Sequence, residues 1–309
     1  MVLLVITPTE NGASWRDAFR KLDPTLDVRV WPDTGALEDI EVAFVWRHPE
    51  GDLARYPNLR AVFSLGAGVD GTLGDPLYPR QVPLVRMVDP DLAVSMTEFV
   101  IAAVLRHHCD LDHYAHLQRE ARWEKRVRPS AAGRVVGVMG LGALGARAAL
   151  ALTALGFEVR GWSRTIRTVA GLETFAGEAG LSAFLAATQI LVCLLPLTPE
   201  TRGILDAQTF AQMPRGSHLV NVARGAHVVE GDLIAALDSG QLAGATLDVF
   251  DVEPLPAGHA FWHHPRVLIT PHVASLTSVA TAAILVVENL RQWRAGGALL
   301  NVVDVQRGY

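Results

Sequence analysis

The stretch Val135-Val-Gly-Val-Met-Gly-Leu-Gly-Ala-Leu-Gly145 decides the fold. It is an apolar run that ends in a glycine cluster and opens into the small-residue segment Ala146-Arg-Ala-Ala-Leu-Ala-Leu-Thr-Ala-Leu155. That order predicts a buried strand, a tight turn and a helix. Gly140, Gly142 and Gly145 give the spacing G-x-G-x-x-G. The first glycine permits the turn, the second lets the backbone approach a pyrophosphate, and the third lets the helix sit close to the strand. The helix start, with Ala143 and Leu144 between the glycines, offers unpaired N–H groups and a positive dipole end to phosphates. Glycine-rich turns are common, and a merely structural turn is the alternative. The pattern gains its weight from its flanks, because a second apolar strand, Glu158-Val-Arg-Gly-Trp162, follows.

Bulk properties bound the rest. A chain of 309 residues suits two domains. Half of the residues are hydrophobic and 19% are charged, which supports large cores and excludes a disordered chain. The net charge of −5 and the lack of a Lys/Arg block argue against a nucleic-acid partner or a basic membrane face. No apolar run approaches the ~20 residues of a membrane span. The start, Met1-Val-Leu-Leu-Val-Ile6, reads as a first strand rather than a signal peptide, because it has no basic start and breaks at Thr7-Pro8. Cys109 and Cys193 read as two reduced structural thiols of a cytoplasmic protein, with no disulfide and no metal site.

Before residue 90, short apolar runs fall at 2–6, 28–31, 42–46, 61–64 and 84–87, with room for helices such as 14–22. Continuous rather than alternating hydrophobicity predicts parallel strands covered on both faces, and so a small α/β domain. After its first strand stands Thr7-Pro8-Thr9-Glu10, which is no phosphate loop. Ser64-Leu-Gly-Ala-Gly-Val-Asp70 follows a strand, where open α/β sheets bind ligands; an ordinary turn reads equally well. Asp89-Pro90 breaks the pattern, and a mostly apolar helix is expected from Met96 towards Gln118 as the connector to the second domain. The segment 119–133 is basic and irregular and carries Trp123, a packing anchor or an interface residue.

From Val135 the rhythm predicts strands over 135–139, 158–162, 190–195, 217–222, 245–248 and 267–270, with helices between them, such as 230–239. Six such strands fit a Rossmann-type doubly wound parallel sheet. An amphipathic helix over 278–295 is expected to return to the first domain. The expected division is 1–97 with 279–309 as the substrate domain, and 98–278 as the NAD(P)-binding domain.

The end of the second Rossmann strand chooses the dinucleotide. An acid ~20 residues after the glycines would bind a ribose 2′-OH. Here the sequence reads Gly161-Trp162-Ser163-Arg164-Thr165, followed by Arg167, with no Asp or Glu. Hydroxyl donors and positive charge suit a 2′-phosphate, so NADP(H) is expected in preference to NAD(H). The alternative is that Arg164 is a solvated surface arginine.

Three more segments place polar groups at strand ends: Asn221-Val-Ala-Arg-Gly225, Leu247-Asp-Val-Phe-Asp-Val-Glu-Pro-Leu-Pro256 and Ile269-Thr-Pro-His272. Hydride transfer to a carbonyl needs a proton donor, for which His serves near neutral pH. A carboxylate beside it favours its charged form, and a guanidinium can hold a substrate carboxylate. Arg224, Glu253 and His272 fill those roles. Singly, each also reads as a surface charge, a loop carboxylate and a capping histidine, in a chain with 11 histidines. His263 precedes the last strand and belongs at the opposite edge.

Taken together, these motifs resemble the D-2-hydroxyacid dehydrogenases, and in particular their glyoxylate/hydroxypyruvate reductase A branch. The likeness runs over nearly the whole chain and includes Leu194-Leu-Pro-Leu-Thr-Pro-Glu-Thr201 and the terminal Arg307-Gly-Tyr309. It implies a flavodoxin-like first domain. It implies that Arg224 binds the substrate carboxylate and carbonyl, that His272 is the acid/base, and that Glu253 pairs with it, ahead of the rival Asp251. N–H groups of Leu65, Gly66, Ala67 and Gly68 would bind the substrate carboxylate, and Trp46 would line the pocket. Leu195, Pro196, Val222 and Ala223 would lie along the cofactor, and Asp248 near the nicotinamide carboxamide. The implied reaction is NADPH-dependent reduction of a small 2-oxo acid such as glyoxylate or hydroxypyruvate, in a homodimer joined through the cofactor domain. The alternatives are a dehydrogenase of another D-2-hydroxy acid and a non-enzymatic NAD(P)-sensing scaffold.

Overall fold

The computed structural model describes residues 1–8 and 11–308, so Thr9, Glu10 and Tyr309 lie outside the described residues. In chain order its elements begin β1 (Val2–Ile6), α1 (Gly12–Leu22), β2 (Asp27–Val30), β3 (Ile40–Val45), β4 (Ala61–Ser64), α2 (Asp70–Leu73) and β5 (Leu84–Val85). They continue with α3 (Pro90–His108), α4 (Leu111–Arg119), β6 (Val135–Met139), α5 (Ala143–Ala154), β7 (Glu158–Ser163), β8 (Glu173–Ala176), α6 (Gly177–Ala187) and β9 (Ile190–Cys193). The last are α7 (Ala207–Gln212), β10 (Ser217–Asn221), α8 (Glu230–Asp238), β11 (Leu242–Leu247), β12 (Val267–Ile269) and α9 (Val279–Arg294). The chain divides into two compact units, Met1–Leu92 with Thr277–Tyr309, and Ala93–Leu276.

The first unit is a parallel sheet in the order β2-β1-β3-β4-β5, the flavodoxin-like arrangement. Its strands are buried on both faces, so alternate side chains serve two cores. Leu3, Val5, Val42, Phe44 and Phe63 face α1 and α9. Leu4, Ile6, Ala43, Val45 and Val62 face the other way, towards Leu53, Tyr56 and Tyr78. On the α1 side Trp15 and Phe19 close over Phe44 at 4.7 and 5.3 Å between ring centres. The Asn11 side chain caps α1 by accepting from Ser14 N–H, and Arg20 and Lys21 suit the negative end of its dipole. Beyond α9, Val303 N–H donates to Leu84 O and Arg86 N–H to Asn301 O. The tail thus covers the edge strand β5.

The second unit is a seven-stranded parallel sheet, β8-β7-β6-β9-β10-β11-β12. Renumbered from its first strand, this is the Rossmann order 3-2-1-4-5-6 with one strand added beyond the sixth. The order reverses direction between β6 and β9, and a crevice forms at such a point. One face packs on α3 and α5 through Val100, Val104, Ala148, Ala149 and Leu152. The other packs on α6, α7 and α8 through Phe184, Leu185, Phe210 and Leu233. Cys193 is fully buried at the end of β9, and burial pushes its thiol up to about 12.

Three expectations need correction. The sheet has seven strands, because the short, half-buried edge strand β8 (Glu-Thr-Phe-Ala) carries no apolar run. Asp89-Pro90 opens the connector helix: the Asp89 carboxylate accepts from Asp91 N–H, and proline suits a first helical position. The helix does not continue to Gln118, since Asp110 adopts a left-handed φ of 55° and separates α3 from α4. No helix among the described residues is long and apolar enough to cross a membrane.

Candidate active site

The glycine turn sits where β6 ends. Gly140 has φ of +100°, and a Cβ there would lie 2.5 Å from Leu194 O, on the loop after β9. Its N–H donates to Trp162 O at 2.8 Å, which ties the turn to β7. A Cβ on Gly145 would come within 1.8 Å of Gly140 O, so only glycine lets α5 start this close to the strand. Gly142 differs: its Cβ would meet nothing within 4 Å. The space beside it, facing the N–H groups of the first turn of α5, fits the pyrophosphate of a dinucleotide.

At the end of β7 the Ser163 hydroxyl donates to Thr165 O at 2.8 Å, which closes the turn that carries Arg164. Arg164 Nη1 lies 4.0 Å from Glu200 Oε2, and Arg167 is exposed nearby in sequence. Trp162 is turned into the core, its indole N–H donating to Gly177 O, so only its backbone faces the glycine turn. After β9, Leu195 is buried and Pro196 O accepts from the Thr201 hydroxyl at 2.7 Å.

Three strand ends build the polar cluster. The Asn221 amide bridges its own loop, donating to Arg224 O at 2.9 Å and accepting from Ala223 N–H at 3.2 Å. Val222 and Ala223 are buried beneath it. Arg224 is half-buried and its Nη1 donates to Ala223 O at 2.6 Å. Gly225 presses against the next loop, for a Cβ there would lie 1.8 Å from the Phe250 carbonyl carbon.

Asp248, 1% exposed, is the anchor of the third segment. Its carboxylate accepts from the Thr270 hydroxyl at 2.6 Å and from Val273 and Ala274 N–H at 2.9 Å each. Its carbonyl accepts from His272 N–H at 2.7 Å. Held at both ends, His272 adopts φ of +57°, a strained conformation for a side chain of its size. Its Nδ1 then lies 2.8 Å from Glu253 Oε2, while Glu253 Oε1 accepts from Phe250 N–H at 2.9 Å. The pair fixes the Nδ1–H tautomer and leaves Nε2 as the outward nitrogen. Asp251 is exposed and pairs with Arg202 at 3.8 Å, so the geometry selects Glu253. His263 stands in a 3-10 turn before β12, away from the strand ends.

In the first unit, the loop after β4 offers fewer donors than the sequence suggests. Leu65 N–H donates to Val45 O at 2.9 Å, and Gly66 N–H to the Ser64 hydroxyl at 3.2 Å. Among the described residues of this loop, the Ala67, Gly68 and Val69 N–H groups have no acceptor within the chain, and of these Ala67 and Gly68 are half-buried. Trp46 lies against Gly66, where a Cβ would come 2.6 Å from the indole ring. Sequence reasoning did not single out Asn221, Thr270 or the buried His227, and it gave Asp248 no structural role. Their one signal was polarity at the end of an apolar strand.

Fold and strand-end residues together define a Rossmann-type, dinucleotide-dependent oxidoreductase. Residues 101–274 match the family described as D-isomer specific 2-hydroxyacid dehydrogenase, NAD binding domain. Over the full length of both chains, the protein is 40% identical to glyoxylate/hydroxypyruvate reductase A of Yersinia enterocolitica and 42% identical to that of Serratia proteamaculans. A crystal structure of a D-isomer specific 2-hydroxyacid dehydrogenase from Xanthobacter autotrophicus Py2, in complex with NADPH and MES, superposes with a TM-score of 0.95 at 46% identity, covering 100% of this chain and 99% of that one. The NADPH-dependent glyoxylate/hydroxypyruvate reductase of Sinorhizobium meliloti, in complex with NADP and sulfate, gives 0.94 at 40% identity and the same coverage. The chain belongs to the D-isomer specific 2-hydroxyacid dehydrogenase family, in its glyoxylate/hydroxypyruvate reductase A branch.

Proposed function

We propose that this protein reduces small 2-oxo acids with NADPH, glyoxylate to glycolate and hydroxypyruvate to D-glycerate. The observation that carries the reading is the 2.8 Å pair between Glu253 and His272 in a chain of this family. NADPH held at this site would supply the hydride that reduces the carbonyl carbon. His272 Nε2 gives the proton to the carbonyl oxygen, and the Glu253 carboxylate stabilises the imidazolium that precedes the transfer. Arg224 holds the substrate carboxylate and polarises the carbonyl. In the first unit, the Ala67 and Gly68 N–H groups are suited to bind a carboxylate, and Trp46 gives that loop an apolar wall. At the cofactor end, the N–H groups of Ala143, Leu144 and Gly145 face the pyrophosphate. The turn Ser163-Arg164-Thr165 and Arg167 receive the 2′-phosphate, and Leu195, Pro196, Val222, Ala223 and Asp248 flank the nicotinamide half.

The protein acts as a homodimer joined through the second unit. Residues 118–130 are exposed throughout, and within them Trp123 is 93% exposed and Val127 fully so. A tryptophan left in water beside Tyr114 and Leu117 suits a surface that a second copy covers. Both cysteines are free thiols, which supports a cytoplasmic location.

The test is NADPH oxidation with glyoxylate, hydroxypyruvate, pyruvate and longer 2-oxo acids. Turnover highest on the first two is expected. No turnover on any of them would replace this reading with an NAD(P)-sensing scaffold, and a preference for longer acids with a dehydrogenase of another D-2-hydroxy acid.

A further inference from the structure

His227 has no surface exposure at all and ends the single 3-10 turn Gly225–His227. Its ring stands between two loops. Nδ1 lies 3.2 Å from Arg224 N and 3.1 Å from Arg224 O, and Nε2 lies 3.3 Å from Pro196 O. One tautomer serves both contacts: Nε2–H donates to the Pro196 carbonyl, and the bare Nδ1 accepts from Arg224 N–H. The other tautomer would donate from Nδ1 to Arg224 O and leave two lone pairs facing each other at Pro196, so the Pro196 contact is the one that requires Nε2–H.

The loops do not need the ring to stay together. Gly203 N–H donates to Ala226 O, Leu205 N–H to His227 O, and Val229 N–H to Leu205 O, all at 2.9–3.0 Å. The ring bonds are therefore additional to this stitching, and each ends on a residue beside the chemistry. Arg224 projects its guanidinium from the backbone that Nδ1 holds. Pro196 directly follows the Leu194–Leu195 segment, which closes on Gly140. An apolar side chain would fill the volume, so a polar ring at this depth needs a reason.

We infer that His227 is a positioning residue that fixes the substrate arginine with one ring nitrogen and the cofactor-side Pro196 carbonyl with the other. The inference rests on the reading that Arg224 holds the substrate and Pro196 flanks the cofactor.

Two substitutions separate the two nitrogens. His227→Asn keeps an acceptor near the Nδ1 position and loses the Nε2 donor; His227→Gln keeps a donor near Nε2 and loses the Nδ1 acceptor. For His227→Asn, the NADPH Kd, read by fluorescence titration without turnover, should rise on the order of fivefold, while the glyoxylate KM stays within about twofold. For His227→Gln the pattern should invert, with the glyoxylate KM raised by a similar factor and the NADPH Kd near that of the wild type. Equal shifts of both constants in both variants, or no shift in either, would overturn the inference. ¹⁵N NMR of the histidine-labelled wild-type enzyme gives a reading that needs no variant: an Nε2–H tautomer at residue 227 supports it, and an Nδ1–H tautomer refutes it. Arg224→Gln is the control for the underlying reading. An unchanged glyoxylate KM in that variant would sink the role of Arg224 itself, whatever the His227 variants do.

Discussion

Glu253 Oε2 lies 2.8 Å from His272 Nδ1, and each partner is held by a backbone bond of its own, Phe250 N–H to Glu253 and His272 N–H to Asp248 O. The pair is thus set before substrate arrives. Replacing His272 by Ala should lower kcat by about 10²–10⁴-fold, the usual worth of a positioned acid/base. Glu253→Gln should lower it less, because an amide oxygen still orients the ring. NADPH affinity, measured by fluorescence titration, should be unchanged in both. Normal turnover by His272→Ala would refute the proton-donor role.

Gly142 and Gly145 of the turn should respond differently to a methyl group. At Gly142 it meets no protein atom within 4 Å, so Gly142→Ala should keep its Tm and raise the KM for NADPH. At Gly145 it would fall 1.8 Å from Gly140 O, so Gly145→Ala must move the helix or the strand. A loss of about 1–3 kcal/mol or more in stability is expected there. Thermal melts and cofactor titrations on the two variants check the contrast; a Gly142→Ala protein that binds NADPH normally would contradict it.

Arg164 stands 4.0 Å from Glu200, whose carboxylate is held below the usual range by the Thr198 hydroxyl, its own backbone N–H and the charge of Arg164. Arg164→Ala should lower kcat/KM for NADPH by about tenfold or more and leave NADH nearly untouched, as expected for the loss of a charged hydrogen bond. Glu200→Gln should act in the opposite sense and improve NADPH by a small factor. Equal effects on both cofactors would remove Arg164 from the 2′-phosphate site.

His218 and His107 stack with ring centres 4.5 Å apart beneath the sheet, and His107 Nε2 lies 3.0 Å from the Thr246 hydroxyl. Burial, followed by the charge of Arg134, lowers His218 to about 4. Burial lowers His107 as well. Between pH 6.5 and about 4 the unfolded chain gains a proton that folded His218 does not accept. Stability should therefore fall as pH drops through that window, by up to about 1.4 kcal/mol per pH unit for His218, whose contribution levels off below it. The dependence of Tm on pH measures this. His218→Asn, which cannot take up a proton, should flatten the curve, and an unchanged slope would refute the assignment.

Trp123→Ser should shift the protein from dimer to monomer in sedimentation velocity and leave the Tm of the isolated subunit unaffected, because the side chain is 93% exposed within its own chain. A monomeric wild type, or an unaltered dimer in the variant, would remove Trp123 from the interface.

Much of this architecture is legible in the residues. Continuous apolar runs mark the parallel strands because both faces are covered, and glycine spacing marks the turn because backbone sterics allow nothing else at 140 and 145. The Glu253–His272 pair could be anticipated because both residues stand at the ends of apolar strands, where polar groups meet. What stayed hidden has equally physical causes. The edge strand β8 is half-exposed and has no hydrophobic signature. Asp89-Pro90 reads as a breaker unless one sees that the carboxylate caps the helix that the proline begins. The donors of the loop after β4 cannot be counted from glycines, because strand pairing and the Ser64 hydroxyl claim two of them. His227 is one histidine among 11 until two loops from distant sequence close on it.

The first unit is made from both ends of the chain, since α9 covers the same sheet face as α1, and the strand that ends its sheet, β5, is edged by residues after 300. The second unit is one uninterrupted stretch, Ala93–Leu276. During synthesis the two therefore mature in reverse order of appearance. The glycine-turn unit has all its strands as soon as β12 leaves the ribosome. The N-terminal sheet, although made first, waits with the Phe44 side of its core only partly covered, by α1 alone, until α9 and the residues after it arrive. Truncations that remove α9 should therefore cost solubility before they cost cofactor binding.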